Sequence, residues 1–227
     1  MIYSIICSRK DKPNNTLPKL LSYYQSADIK YHVSYDAPSM FEGYQQGLDT
    51  LKPDAEDVVI LCHDDIEVLS DRAHFRRTLE ETLAHKEVGF VGPAGTTYLG
   101  GDAVWWDINR RHTGLHSGFV FQGKDHKTMV PNYFGPCRNV VVLDGLFIAA
   151  KRKTLDLIGL AKPKEFPTNW DFYDLYYTLS AYEKGFNNKT IPILILHNSD
   201  GMMRESWDAN RKAFQKMFRL PVGCKNV

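Results

Sequence analysis

The chain has 227 residues, of which 43% are hydrophobic, 24% charged and 12% aromatic, a composition that excludes a disordered chain and suits one α/β domain. Lys and Arg number 28 against 27 Asp and Glu, so the net charge of +1 gives no general attraction to an anionic membrane, and no nucleic-acid partner is expected. No run is long and apolar enough for a membrane span, and the short apolar start lacks a basic leader, so a cytoplasmic protein is expected.

In chain order, residues 2–7 predict a strand, 17–26 a helix, 31–35 a strand, 40–51 a helix and 58–62 a buried strand. That alternation implies a mostly parallel central sheet flanked by helices. Ser39 and Glu42 have capping-box spacing, and Phe41, Tyr44, Leu48 and Leu51 recur on one face, which marks the second helix well. A third helix follows Ser70-Asp71, with Phe75, Leu79 and Leu83 as its apolar stripe. Residues 92–136, rich in glycine, aromatics, histidine and basic side chains, predict irregular, partly mobile loops. Residues 140–150 form an apolar run interrupted by Asp144-Gly145, followed by a helix over about 170–184 that Gly185 can end. Residues 191–196 predict the last buried strand and 207–218 a closing helix. The whole is expected to be one domain with two halves, over about 1–91 and about 92–227, which the resemblance described below implies as nucleotide-sugar-binding and as acceptor-binding and catalytic.

Cys7, Cys62, Cys137 and Cys224 are scattered, and two of them end apolar runs, which favours buried thiols over disulfides. The triplets at Asn14 and Asn188 match a glycosylation acceptor pattern, and with no leader they are read as chance.

The segment Asp57-Val58-Val59-Ile60-Leu61-Cys62-His63-Asp64-Asp65-Ile66-Glu67 carries the strongest chemical signal. A buried parallel strand delivers acidic groups at its carboxyl end, where open α/β sheets bind ligands. Adjacent carboxylates losing hydration together need a cation, for which Mg²⁺ or Mn²⁺ beneath ligand phosphates is suited. The plainer alternative is that Asp64 and Asp65 cap a turn.

At this segment the sequence resembles the GT-A-fold glycosyltransferases, in particular their family 2-like branch. Further similarity follows in order at Ser39–Leu48, Val88–Gly95 with Trp105-Trp106, Val142–Arg152, Trp170-Asp171-Phe172-Tyr173-Asp174 and His197-Asn198-Ser199-Asp200-Gly201. The resemblance implies a metal-dependent, inverting transfer of sugar from a nucleotide sugar (UDP-, GDP- or dTDP-linked) to a carbohydrate or other hydroxyl acceptor. It implies Asp65 as principal metal ligand, Asp64 as its neighbour and His197 as a further ligand, while His63 replaces the usual first Asp, the branch often carrying His-Asp-Asp where others have Asp-X-Asp, and has no role assigned. It also implies Asp174 as general base, a role that needs a carboxylate beside the acceptor hydroxyl. Asp144 is the rival base and, with Gly145 and Trp170, a candidate substrate contact. Ser8, Arg9 and Asp36 fall where the donor-nucleotide pocket begins.

Each position has a structural alternative. Asp171 and Asp174 also favour a helix start electrostatically; a strand-end His197 is equally a satisfied structural residue; Asp36-Ala37-Pro38 is equally a turn. Trp105, Trp106, His112, His116 and Tyr133 form a candidate acceptor platform or, alternatively, a small satellite core. Two competing functions are a sugar nucleotidyltransferase, disfavoured because the loop from Cys7 to Lys12 has no glycine, and a non-catalytic binding module. A Rossmann dehydrogenase is excluded by the missing G-x-G-x-x-G.

Overall fold

The computed structural model of the chain describes residues 1–106, 113–199 and 205–224. His112, Asp200 and Gly201 therefore lie outside the described residues. The chain begins as β1 (Ile2–Ser8), α1 (Leu17–Ser26), β2 (Lys30–Tyr35), α2 (Met40–Leu51) and β3 (Val58–His63), and continues through β4 (Ile66–Val68), α3 (Arg72–Ala84) and β5 (Val88–Gly92). Then come β6 (Ala94–Thr96), β7 (Tyr98–Leu99), β8 (His116–Gln122), β9 (Val130–Gly135), β10 (Asn139–Val140), β11 (Val142–Leu143) and β12 (Phe147–Lys151). The last elements are α4 (Arg152–Ile158), α5 (Tyr173–Glu183), β13 (Asn187–Thr190), β14 (Ile195–His197), α6 (Glu205–Met217) and β15 (Val222–Gly223).

The helices follow from their caps and apolar stripes. Ser39 Oγ accepts the Glu42 amide at 3.0 Å, which satisfies one of the amides a helix start leaves open. Phe41, Tyr44 and Leu48 are buried. Gly47 lies so close to β1 that a Cβ there would strike the Ile5 side chain; only glycine allows this approach. Asp71 caps α3 by accepting the amides of Ala73 at 2.9 Å and His74 at 3.1 Å, and Phe75, Leu79 and Leu83 are its buried face.

The central sheet has seven strands in the order β10-β13-β5-β12-β3-β1-β2. β1 runs parallel to β2 and β3, and β13 parallel to β5. β12 is antiparallel to both β3 and β5, and β10 antiparallel to β13. The sheet is thus mixed, which corrects the expectation of a mostly parallel one. The reason is the entry point of β12: Phe147 pairs with Cys62 at the end of β3, so the chain enters at that rim and has to run back.

A second sheet, β11-β6-β8-β14-β4 with β9 on β8, takes β6, β8 and β9 from the region expected to be irregular. β4, β6, β11 and β14 have only two or three residues each and pair with strands distant in sequence, so neither alternation nor local turn chemistry marks them. The helix expected from residue 170 begins at Tyr173, and the strand expected over 191–196 is confined to β14, because Pro192 cannot donate to a ladder. The four cysteines are free thiols; Cys7 and Cys62 are buried, but Cys137 is exposed. Asn188 is fully buried. Its amide donates to the carbonyls of Val141 at 2.8 Å and Thr178 at 2.7 Å, so this triplet serves packing in the folded chain. Among the described residues no helix is long and apolar enough to cross a membrane.

Candidate active site

Three segments distant in sequence meet where β3 ends. Cys7 pairs with His63 across β1 and β3, which sets the loop after β1 beside Asp64 and Asp65. β14 pairs with β4 so that His197 faces Ile66, and the Asn198 amide donates to the Asp65 carbonyl at 2.8 Å. The turn from Asp144 to Leu146 covers the same rim, since the His63 amide donates to the Leu146 carbonyl at 3.1 Å.

His63, Asp65 and His197 each offer one ligand atom, all within 4.8 Å of one another. Asp65 Oδ1 lies 3.5 Å from His63 Nδ1 and 3.4 Å from His197 Nε2. Both Asp65 Oδ1 and His197 Nε2 are buried without a hydrogen-bond partner. Orphaned polar atoms of this kind are costly unless something completes them, and a divalent cation completes both at once. The residues therefore fit a metal. Two imidazoles with one carboxylate suit a transition ion better than Mg²⁺, which prefers oxygen donors.

Asp64 points elsewhere. Its carboxylate accepts Ser8 Oγ at 2.6 Å and the Asn14 amide at 3.4 Å, while Thr16 Oγ1 donates to its carbonyl at 2.7 Å. Burial pushes its carboxyl up, with the Ser8 hydrogen bond opposing. His63, to which the sequence assigned no role, is the side chain grouped with Asp65 and His197, while Asp64 is held by Ser8 and Asn14.

On the other side, the Gly145 amide donates to Asp174 Oδ2 at 2.8 Å, and the Tyr173 hydroxyl donates to the Gly145 carbonyl at 2.9 Å. A Cβ on Gly145 would collide with both the Tyr173 hydroxyl and Asp174 Cβ, so the close approach requires glycine. Asp174 is pushed up to about 7, chiefly by burial and then by the charge of Asp144. Burial also raises Asp144, opposed by His197 and His63. Phe172, just before α5, has φ 68, a left-handed conformation that strains a bulky residue. Its ring is packed against Trp207 and Phe214 of α6, with centroids 5.1 and 5.3 Å away.

A cleft of about 500 Å³ opens beside these groups, lined by Ser8, Arg9, Lys12, Asn14, Met40, His63, Asp64, Asp65, Trp170 and Asn198 among others. Its size is that of a small-molecule site. Trp170 is 48% exposed at the cleft. Asp174, Asp144 and Gly145 adjoin His63 through the Tyr173 contacts and do not themselves line the cleft. Arg9 lines it while paired with Asp11 at 2.8 Å. Asp36 is exposed, at φ 53, and accepts the Lys10 amide at 3.0 Å; this is turn geometry, and the residue is not on the cleft wall.

Trp105 is only 2% exposed and packs on Trp106, His116 and Phe134, while Trp106 meets Trp207 at 5.4 Å. Trp105 thus belongs to the main hydrophobic core, and the half-buried Trp106 packs against it. Tyr133 is exposed on β9, and His116 is buried. Lys12, Asn14, Asn198 and Tyr173 received no role from the sequence. Tyr173 alone carried a signal, as the neighbour of Asp174.

A profile of the glycosyltransferase-like family matches residues 17–218, and the chain belongs to that family. Its fold is the GT-A fold, shared with GalNAc-T7 crystallised with UDP, GalNAc and Mn²⁺: 10% identity, TM-score 0.59, over 91% of this chain and 44% of that one. The chain thus spans less than half of that relative's length. A second similar structure is A197 from STIV, with 12% identity and TM-score 0.45 over 90% of this chain and 97% of that one. No curated protein matches the chain by sequence.

Proposed function

We propose that the chain is a metal-dependent, inverting glycosyltransferase that moves a sugar from a nucleoside-diphosphate donor (UDP-, GDP- or dTDP-linked) to a hydroxyl of a carbohydrate or other acceptor. The observation that carries this reading is the corner of His63, Asp65 and His197, with two buried unpartnered atoms, opening on a cleft large enough for a nucleotide. Those three residues would hold a divalent cation, Mn²⁺ in preference to Mg²⁺, and it would supply positive charge to the departing diphosphate.

The chain's own groups do the remainder. Arg9 and Lys12 line the cleft and offer cationic donors to phosphate oxygens. Ser8 and Asn14 hold Asp64, where it can accept from the nucleoside. Asp174 removes the acceptor hydroxyl proton as that oxygen's electron pair forms the bond to the anomeric carbon. The bond from that carbon to the diphosphate oxygen breaks on the opposite face, its electron pair leaving with the nucleoside diphosphate, and the configuration inverts. A buried carboxylate with a pKa near neutrality suits this role, because it is basic enough to take the proton yet ionised at working pH. Trp170, Asp144 and Gly145 remain proposed sugar contacts.

GalNAc-T7 was crystallised with UDP and Mn²⁺, which makes these the first probes. Nucleoside diphosphate release should be measured from UDP-, GDP- and dTDP-sugars with Mn²⁺ or Mg²⁺, comparing the wild type with Asp65→Ala. Metal-dependent release lost in the variant is the expected result. Release that Asp65→Ala leaves intact would overturn the reading.

A further inference from the structure

We infer that Tyr173 is a positioning residue for the metal site: its hydroxyl fixes which nitrogen of His63 carries the proton, and so aims the Nδ1 lone pair at Asp65 and His197. The inference rests on the metal-dependent reading above. The Tyr173 hydroxyl has one proton and two neighbours that could take it. Tyr173 Oη lies 2.9 Å from the Gly145 carbonyl oxygen and 2.5 Å from His63 Nε2. A carbonyl can only accept, so the single phenolic proton goes to Gly145. His63 Nε2 must then donate to the phenolic oxygen. A neutral imidazole carries one proton, and with Nε2 protonated, Nδ1 is left as a bare acceptor.

That nitrogen is the one 3.5 Å from Asp65 Oδ1, on the side where His197 completes the group. The opposite tautomer would set an N–H against the metal corner and leave Nε2 facing an oxygen whose proton is already committed. Little freedom remains to escape this. Tyr173 is 4% exposed, and its ring packs edge-on against Tyr44 with centroids 5.6 Å apart. The absence of a Cβ on Gly145 is what lets the hydroxyl reach the carbonyl. Metal-bound histidines commonly have their other nitrogen held by a backbone carbonyl or a carboxylate; here a phenol stands between ring and carbonyl.

The test reads the proton directly. With the metal-free protein labelled with ¹⁵N at histidine, long-range proton–nitrogen correlation at a pH where the ring is neutral should show His63 protonated at Nε2. Tyr173→Phe should lose that single tautomer and bind Mn²⁺ about 10–100-fold more weakly by calorimetry. If Tyr173→Phe does not fold, His63→Asn and His63→Gln decide, since the Asn amide reaches the place of Nδ1 and the Gln amide that of Nε2. Mn²⁺ affinity should then be retained better by His63→Asn. An Nδ1-protonated wild type overturns the inference, as does unchanged Mn²⁺ affinity in Tyr173→Phe or better retention in His63→Gln. A wild type that binds no Mn²⁺ while keeping the Nε2 proton instead overturns the metal-dependent reading, and this role of Tyr173 with it.

Discussion

The Gly145 amide donates to Asp174 Oδ2 at 2.8 Å, and this one bond ties the turn that opens β12 to the first turn of α5. Because the carbonyl of the same residue accepts from Tyr173, the two peptides flanking Gly145 hold Tyr173 and the proposed base together, and the base is held by backbone rather than by a mobile side chain.

If Asp174 is that base, Asp174→Asn should lower kcat by about 10²–10⁴. The Asn side chain can still accept from Gly145, so nucleoside-diphosphate affinity measured by calorimetry should stay near wild type. Unchanged turnover would remove Asp174 from the mechanism.

The pH dependence has a definite sign. A base pushed up to about 7 must lose its proton to act, so kcat/KM should climb as pH rises through about 7 and level off above it. Stability moves the other way. The folded value lies above the unfolded one, near 3.8, so the neutral acid is favoured in the fold and this group's contribution is lost as pH rises from about 4 through about 7. Asp174→Asn should therefore gain in Tm relative to wild type between about pH 5 and about pH 8, which paired thermal melts would show.

Metal binding should stabilise the fold by mass action. At about 100 times its Kd, Mn²⁺ should contribute roughly 2.7 kcal/mol, seen as a rise in Tm that a chelator reverses. Asp65→Ala and His197→Ala should each remove most of that rise, and a full rise in both variants would place the metal elsewhere.

Gly145→Ala should damage both folding and chemistry, because the new methyl meets Tyr173 and Asp174. Overpacking of this kind costs about 1–3 kcal/mol, measurable by denaturant unfolding, and the displaced Asp174 should lower kcat as well. A variant with wild-type stability and rate would show that the turn yields freely.

Two tryptophans separate packing from binding. Trp105→Ala should lose about 3–5 kcal/mol of stability, the usual cost of removing a buried aromatic. Trp170→Ala, removing a side chain 48% exposed, should leave Tm nearly unchanged while raising KM. Reversed outcomes in melting and kinetics would reassign both.

The first five elements were legible from their apolar runs and stripes: Ser39 also caps α2, and β3 is a nearly unbroken apolar run. β6, β7, β10 and β11 have only two or three residues each, too few to show a period. The direction of β12 was unreadable for another reason: residues 147–151 are equally apolar whichever way they run, and only the rim at which they enter decides. At the site, Asp65 and His197 could be named from their places at strand ends. The role of His63 could not, since it depends on Tyr173, 110 positions later, and no local pattern encodes that meeting. The choice between packing and binding for Trp105 and Trp106 could not be read, because an aromatic pair in a glycine-rich stretch looks alike whether other side chains cover it or solvent does.

The left-handed backbone at Phe172 ties α6 to the turn that carries the proposed base. Such a conformation costs a bulky residue about 1–3 kcal/mol, and the rings of Trp207 and Phe214 grip it from α6. α6 thereby acts as a latch on the start of α5: without those two rings, the strain at Phe172 would have nothing to offset it, and Tyr173 and Asp174 follow directly in the chain.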